Sequence, residues 1–276
     1  MKKNEFLDYI KYLGIFVFSA GAGAGISAGG TKLAFDLIDD HYKKMSQGLP
    51  LIQPGAHLKE GNHRVVITGD FWQAIVNEPE DAKKFVMDGI STAYDDLNKL
   101  NTKLSFELCT TEDGLEKYNV KKIDEINDQD ISLHITEEYI SNNQHVMAIT
   151  NWNKRMLTRE IYDNKITYRK DYLLTAWRSF GLKEDILSPY NSVAYAITAH
   201  ESMHAMGIAH VEADSIMRSK SSYYYKDITQ LDKEIIDKYN VVFYGTTPKY
   251  DYKNLDEYNK ALESTKSSQD ELELNM

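Results

Sequence analysis

Residues 188–217 read SPYNSVAYAITAHESMHAMGIAHVEADSIM, from Ser188 to Met217. Ser188 has the side chain of a helix N-cap and Pro189 the fixed φ of a first helical residue, while Val193, Ala194, Ala196, Ile197 and Ala199 supply an apolar face. The stretch predicts a helix from about Pro189 to Met206. His200 and His204 stand four apart, so on such a helix their rings stack one turn apart and face the same way. Gly207 follows three residues later; it tolerates φ > 0, which ends a helix and turns the chain back, bringing His210 to face the first two histidines. Three neutral imidazoles with an open fourth position are what a catalytic zinc uses. Glu201, beside His200, is placed to accept a proton from an attacking water. At this chain's own residue frequencies, three His, one acid and one Gly in this spacing arise by chance in roughly five of a hundred thousand chains of this length. The bland alternative is a helix whose histidines merely satisfy one another.

Composition narrows what else the chain can be. Its 276 residues carry 32 Lys and Arg against 42 Asp and Glu, a net charge of −10, which argues against binding nucleic acid through a basic surface. A hydrophobic share of 42% is enough to bury a core. The single cysteine, Cys109, excludes an intrachain disulfide and any multi-cysteine metal knuckle, so a metal site must use His and carboxylates. Cys109 falls in a strand-like pattern and is expected to be a buried structural thiol.

Upstream of the histidines, His63 to Gly69 reads as a strand and Pro79 to Leu100 as a long helix burying Ala82, Phe85, Val86, Ile90, Ala93, Tyr94 and Leu97. Lys103 to Cys109, Ile131 to Ile135, Val146 to Trp152 and Glu160 to Tyr168 are strand-like. The fold class expected is α+β: a mixed sheet with helices on one side, which the resemblance of the histidine stretch to a known family makes mostly parallel and twisted. Thr31 to Lys44 reads as a short amphipathic helix, and Pro50, Pro54 and Gly55 mark a loop. Downstream, Val241 to Gly245 is strand-like by composition, and the acidic tail from Lys249 onward is expected to be a solvated, partly helical end with no evident chemistry.

The first thirty residues join a mixed-charge head containing Lys2, Lys3 and Lys11 to an uncharged stretch from Tyr12 to Thr31, apolar at first and then Gly, Ala and Ser. That layout is expected of an export signal or an uncleaved membrane anchor; with Glu5 and Asp8 in the head it also fits a Gly-rich leader on a cytosolic domain. The organisation expected is therefore a leader over 1–30, a linker over 31–62, a catalytic domain over 63–249 and a polar tail over 250–276.

HESMHAMGIAH, from His200 to His210, resembles the metzincin zinc peptidases, whose signature is HExxHxxGxxH. The resemblance implies Zn2+ held by His200, His204 and His210, with Glu201 as the catalytic base. It also implies a methionine turn at Asp214-Ser215-Ile216-Met217, with Met217 a soft apolar floor beneath the metal rather than a ligand. Within that clan the layout is most similar to the matrixins, whose closing helix resembles ITQLDKEIIDKYNVVFYG, and whose edge strand above the cleft would be Val146 to Trp152. Val211 stands where matrixins commonly have Ser or Thr, and Ser219 stands where astacin-like sites place a tyrosine, so no fifth ligand is implied there. Tyr223, Tyr224 and Tyr225 are candidates for a pocket wall or for loop packing. His41, His57, His63, His134 and His145 have no spacing that suggests a second zinc.

The function expected is a zinc-dependent metalloendopeptidase acting on peptide or protein substrates, exported or held at the cell surface by the N-terminal segment. Two other readings use the same residues: a catalytically silent zinc fold that binds a partner, and a zinc hydrolase of a non-peptide amide.

Overall fold

A computed structural model describes residues 56–140, 146–174, 192–211, 213–218, 227–257 and 260. The leader, the Thr31 to Lys44 helix, the loop at Pro50 to Gly55, Ser219 and Tyr223 to Tyr225 lie outside the described residues. Among those described, no helix is long and apolar enough to cross a membrane.

The sheet has six strands: β1 (Gly61–Ile67), β2 (Leu104–Thr110), β3 (Lys121–Lys122), β4 (Ile131–Thr136), β5 (Ala148–Lys154) and β6 (Ile161–Arg169). Their order in space is β3-β2-β1-β4-β6-β5. Every neighbouring pair is parallel except β5 with β6. This is the expected mostly parallel, mixed sheet. In the centre, Val65, Val66 and Ile67 of β1 are all buried, as a parallel strand covered on both faces requires. A parallel neighbour can be reached only by a crossover, and α1 (Gly69–Ile75) followed by α2 (Glu80–Leu100) supplies the one from β1 to β2.

All seven apolar positions expected to face inward on α2 are buried, and Glu80 and Asp81 at its start with Lys99 at its end suit the helix dipole. Here α2 lies against β2 and against α4 (Val193–Ala205), which in turn packs on β5 and β6. Gly89 makes the contact between the two helices possible. A Cβ there would come within 2.7 Å of Ser192 Oγ and 3.0 Å of the Tyr195 nitrogen. The short α3 (Lys170–Leu173) follows β6, and α5 (Gln230–Tyr244) closes the unit.

Three sequence expectations need correction. The histidine helix is capped by Ser192, whose hydroxyl accepts from the Ala194 nitrogen at 3.1 Å, and it begins at Val193; Ser188 and Pro189 lie outside the described residues. Val241 to Tyr244 is helical rather than a strand. A capping box between Thr229 and Asp232 starts α5, and its buried Leu231, Ile235, Ile236, Tyr239 and Phe243 follow the helical period, so packing overrides the β-propensity of two valines. Gly245, at φ +65°, ends it. The residues from Lys249 begin as a packed segment, not a purely solvated tail. Asp237 Oδ2 accepts from the Lys249 nitrogen at 2.7 Å and the Tyr252 hydroxyl at 2.9 Å, while Glu234 accepts both nitrogens of Asn254. Four short elements had no anticipating signal: the seven-residue α1, the 3-10 turn Glu116–Tyr118, β3, which is two exposed lysines, and the four-residue α3.

Candidate metal centre

Every residue of α4 except His204 is buried, so the helix runs through the core rather than along its surface. Its run of Ala, Thr and Ser gives it the narrow girth that close packing against α2, β5 and β6 demands. His200 and His204 project from one face, with ring centroids 4.6 Å apart and planes nearly perpendicular. Gly207 then takes φ +94°, a conformation that L side chains rarely adopt, and its nitrogen closes on the His204 carbonyl at 2.8 Å. The turn returns His210, whose Nε2 lies 3.1 Å from His204 Nε2. Two nitrogens bound to one tetrahedral zinc at ordinary bond lengths are about 3.3 Å apart. Ligand atoms of all three histidines lie within 4.8 Å of one another, and together these residues can hold a metal ion.

The donor chemistry fits a transition-metal ion. His200 Nδ1 donates to the Ile216 carbonyl at 2.7 Å and His204 Nδ1 to the Ile208 carbonyl at 2.6 Å. A carbonyl only accepts, so each Nδ1 carries the proton and the lone pair is on Nε2, turned toward the other rings. Burial lowers the pKa of His200 to about 3, with His204 adding to the effect, and lowers that of His204 to about 4. Both rings are therefore neutral at physiological pH, the form a metal needs.

The turn that orients His200 is itself pinned. Ile216 donates its N–H to Asp232 Oδ2 at 2.9 Å, and the same carboxylate accepts the Ser215 hydroxyl and both the nitrogen and hydroxyl of Thr229. Burial raises the Asp232 pKa while these donors pull it down. One buried acid thus joins the start of α5 to Ile216, the residue whose carbonyl holds a histidine. Val211 N–H donates to the Met217 carbonyl at 2.9 Å, and the Met217 side chain is fully buried.

Glu201 is buried beside His200. Its Oε2 accepts from Thr150 Oγ1 at 2.6 Å, and burial pushes its pKa up to about 7 against that hydrogen bond. Side chains of the sheet also hold the carbonyls at the end of α4: Trp152 Nε1 reaches His204 O at 3.0 Å and Asn164 Nδ2 reaches Ala205 O at 2.8 Å. Thr150, Trp152, Asn164 and Asp232 were not singled out from the sequence. They meet α4 or its turn across 16 to 52 residues, a separation at which no local pattern speaks.

Cys109 is a buried free thiol in β2 whose pKa burial raises, as expected of a structural cysteine. The other described histidines have different contacts: His63 with the Lys59 carbonyl, His134 with Asp70, and His57 stacked on Phe243. His41 and His145 lie outside the described residues.

Fold and site together place three histidines that could hold a metal ion at the end of a buried helix and the turn after it, against a mostly parallel sheet. No family model matches the chain, and no curated protein matches it in sequence.

Proposed function

We propose that the protein is a zinc-dependent metalloendopeptidase of the metzincin type. The observation that carries the reading is the convergence of His200, His204 and His210, with the buried Glu201 following His200 in the same helix. When bound, zinc would supply Lewis acidity to a water and to a scissile carbonyl. His200, His204 and His210 would hold it through Nε2 in the neutral form. The Glu201 carboxylate accepts a proton from the attacking water and returns it to the leaving amine, and a pKa near neutrality suits a group that must both take and give. Edge strand β5 offers its backbone to a peptide, which would pair as an added strand with little demand on sequence. The fully buried Met217 would then be the soft apolar floor beneath the metal that the resemblance implies. We propose further that residues 1–30 direct export or membrane anchoring, which N-terminal sequencing of the native product tests: an intact Met1 on cytosolic protein would refute it.

The deciding experiment is an unbiased peptide-library digest with and without chelator, on wild type and Glu201→Ala. Chelator-sensitive cleavage is expected, lost by about 10²- to 10⁴-fold in the variant while zinc stays bound. Cleavage at wild-type rate by zinc-loaded Glu201→Ala would remove the assigned mechanism. No chelator-sensitive cleavage at all would favour a silent zinc fold or an amide hydrolase with a different substrate.

A further inference from the structure

We infer that Thr150, on the edge strand of the sheet, is the positioning residue for the base Glu201. The inference rests on the peptidase reading above. Thr150 Oγ1 lies 2.6 Å from Glu201 Oε2 and 3.0 Å from the carbonyl oxygen of the same residue. A hydroxyl has one proton to give, and a carboxylate is the stronger acceptor. Tying down Oε2 fixes the terminal torsion of a side chain that otherwise rotates freely, and it leaves Oε1 as the oxygen that takes the proton of the attacking water. Threonine suits the task because β-branching holds its own χ1 in a strand. Two residues on, and on the same side of β5, Trp152 Nε1 bonds the His204 carbonyl at 3.0 Å. One strand therefore grips the helix at the base and again at a metal-binding residue. The strand expected to pair with a peptide is the strand that aims the proton acceptor.

Thr150 touches neither substrate nor metal in this role; it acts through Glu201, and the test is chosen accordingly. In full-length, zinc-loaded protein, Thr150→Val removes the hydroxyl and keeps the shape, while Thr150→Ser keeps the hydroxyl. On the best-cleaved library peptide, Thr150→Val is expected to lower kcat by about 10- to 100-fold with KM changed less than about 3-fold, the signature of misplaced catalytic geometry. Thr150→Ser should stay within about 5-fold of wild type. Zinc affinity, measured by chelator competition, should be the same in all three proteins.

A second readout needs no peptidase activity. Acetohydroxamate binding to the zinc-loaded protein, measured by calorimetry, is followed through the cycle of wild type, Thr150→Val, Glu201→Ala and the double variant. Thr150→Val should weaken binding about 5- to 10-fold when Glu201 is present and less than about 2-fold when it is absent. Unchanged kcat in Thr150→Val overturns the inference. So does equal weakening of hydroxamate with and without Glu201, or a loss of zinc affinity large enough to account for the lost rate. If wild type cleaves no peptide, the peptidase reading fails alone and the hydroxamate cycle still decides the role of Thr150.

Discussion

The two halves of the sheet are held in different ways. On the β3-β2-β1 side, the ion pairs Lys121 with Glu107, Lys122 with Asp113 and Lys103 with Glu60 are exposed, and they stand beside half-buried contacts such as Arg64 with Asp130 and Asn98 with the Phe106 backbone. Around β5, β6 and α4, buried or half-buried hydrogen bonds reach the site's own backbone: Thr150, Trp152 and Asn164 donate to the helix, and Asp232 accepts from the turn that orients His200. Exposed pairs trade one well-solvated state for another and are worth little. A buried donor that loses its acceptor has no water to turn to. The first half is a scaffold stabilised by apolar burial, and the second is a scaffold whose polar atoms fix the coordinates of particular groups.

Asp232→Ala should break the second half hardest. It strips the acceptor from the Ser215 hydroxyl, the Ile216 N–H and the Thr229 N–H at once, and is expected to cost about 3–5 kcal/mol in urea unfolding. Because the Ile216 carbonyl accepts from His200, zinc affinity should fall about 10- to 100-fold in chelator competition.

The pH dependence of the metal-free protein probes the same half through charge. His200 and His204 lie below the ordinary imidazole value, so from about pH 6.5 down to about 4 the unfolded chain binds more protons and stability falls as pH falls. Glu201 lies above the ordinary carboxyl value, so between about pH 4.5 and 7 the folded state binds the extra proton and the contribution is lost as pH rises. Glu201→Gln should therefore raise the stability of chelated protein by about 3 kcal/mol at pH 8 and leave it unchanged at pH 4. Equal effects at the two pH values would show that the carboxyl is not held in its neutral form by burial.

Gly89→Ala tests the joint between the two halves. The added methyl meets Ser192 Oγ at 2.7 Å and the Tyr195 backbone at 3.0 Å, so α2 must back away from α4 at a cost of about 1–3 kcal/mol. The smallest effect belongs to the first half: Lys121→Ala, which removes the pair with Glu107, should change stability by less than about 0.5 kcal/mol. A larger loss there would erase the contrast.

The contrast also explains what could be read from the sequence. The strands, α2 and its buried face follow from periodicity because each signal is local, and element ends moved by only one or two residues. The convergence of the three histidines follows from i, i+4 spacing and a glycine turn, again within eleven residues. Thr150, Trp152, Asn164 and Asp232 act on atoms far along the chain and sit in stretches that look like any strand or helix start. Val241 and Val242 misled for a related reason: their strand propensity is intrinsic, whereas the face that buries Tyr239 and Phe243 is set by neighbours from elsewhere in the chain.

Gly207 has one more property. A side chain there would strike the Ala56 carbonyl at 2.4 Å, because the residues ahead of β1 cross directly over the turn that returns His210. The same crossing segment gives its Leu58 nitrogen to the Tyr239 hydroxyl and its Leu58 carbonyl to the Tyr244 hydroxyl. Loss of Ala56 to Leu58 would therefore open the turn that returns His210 and unlatch the closing helix in the same stroke, coupling the histidine cluster to α5 through three residues of backbone.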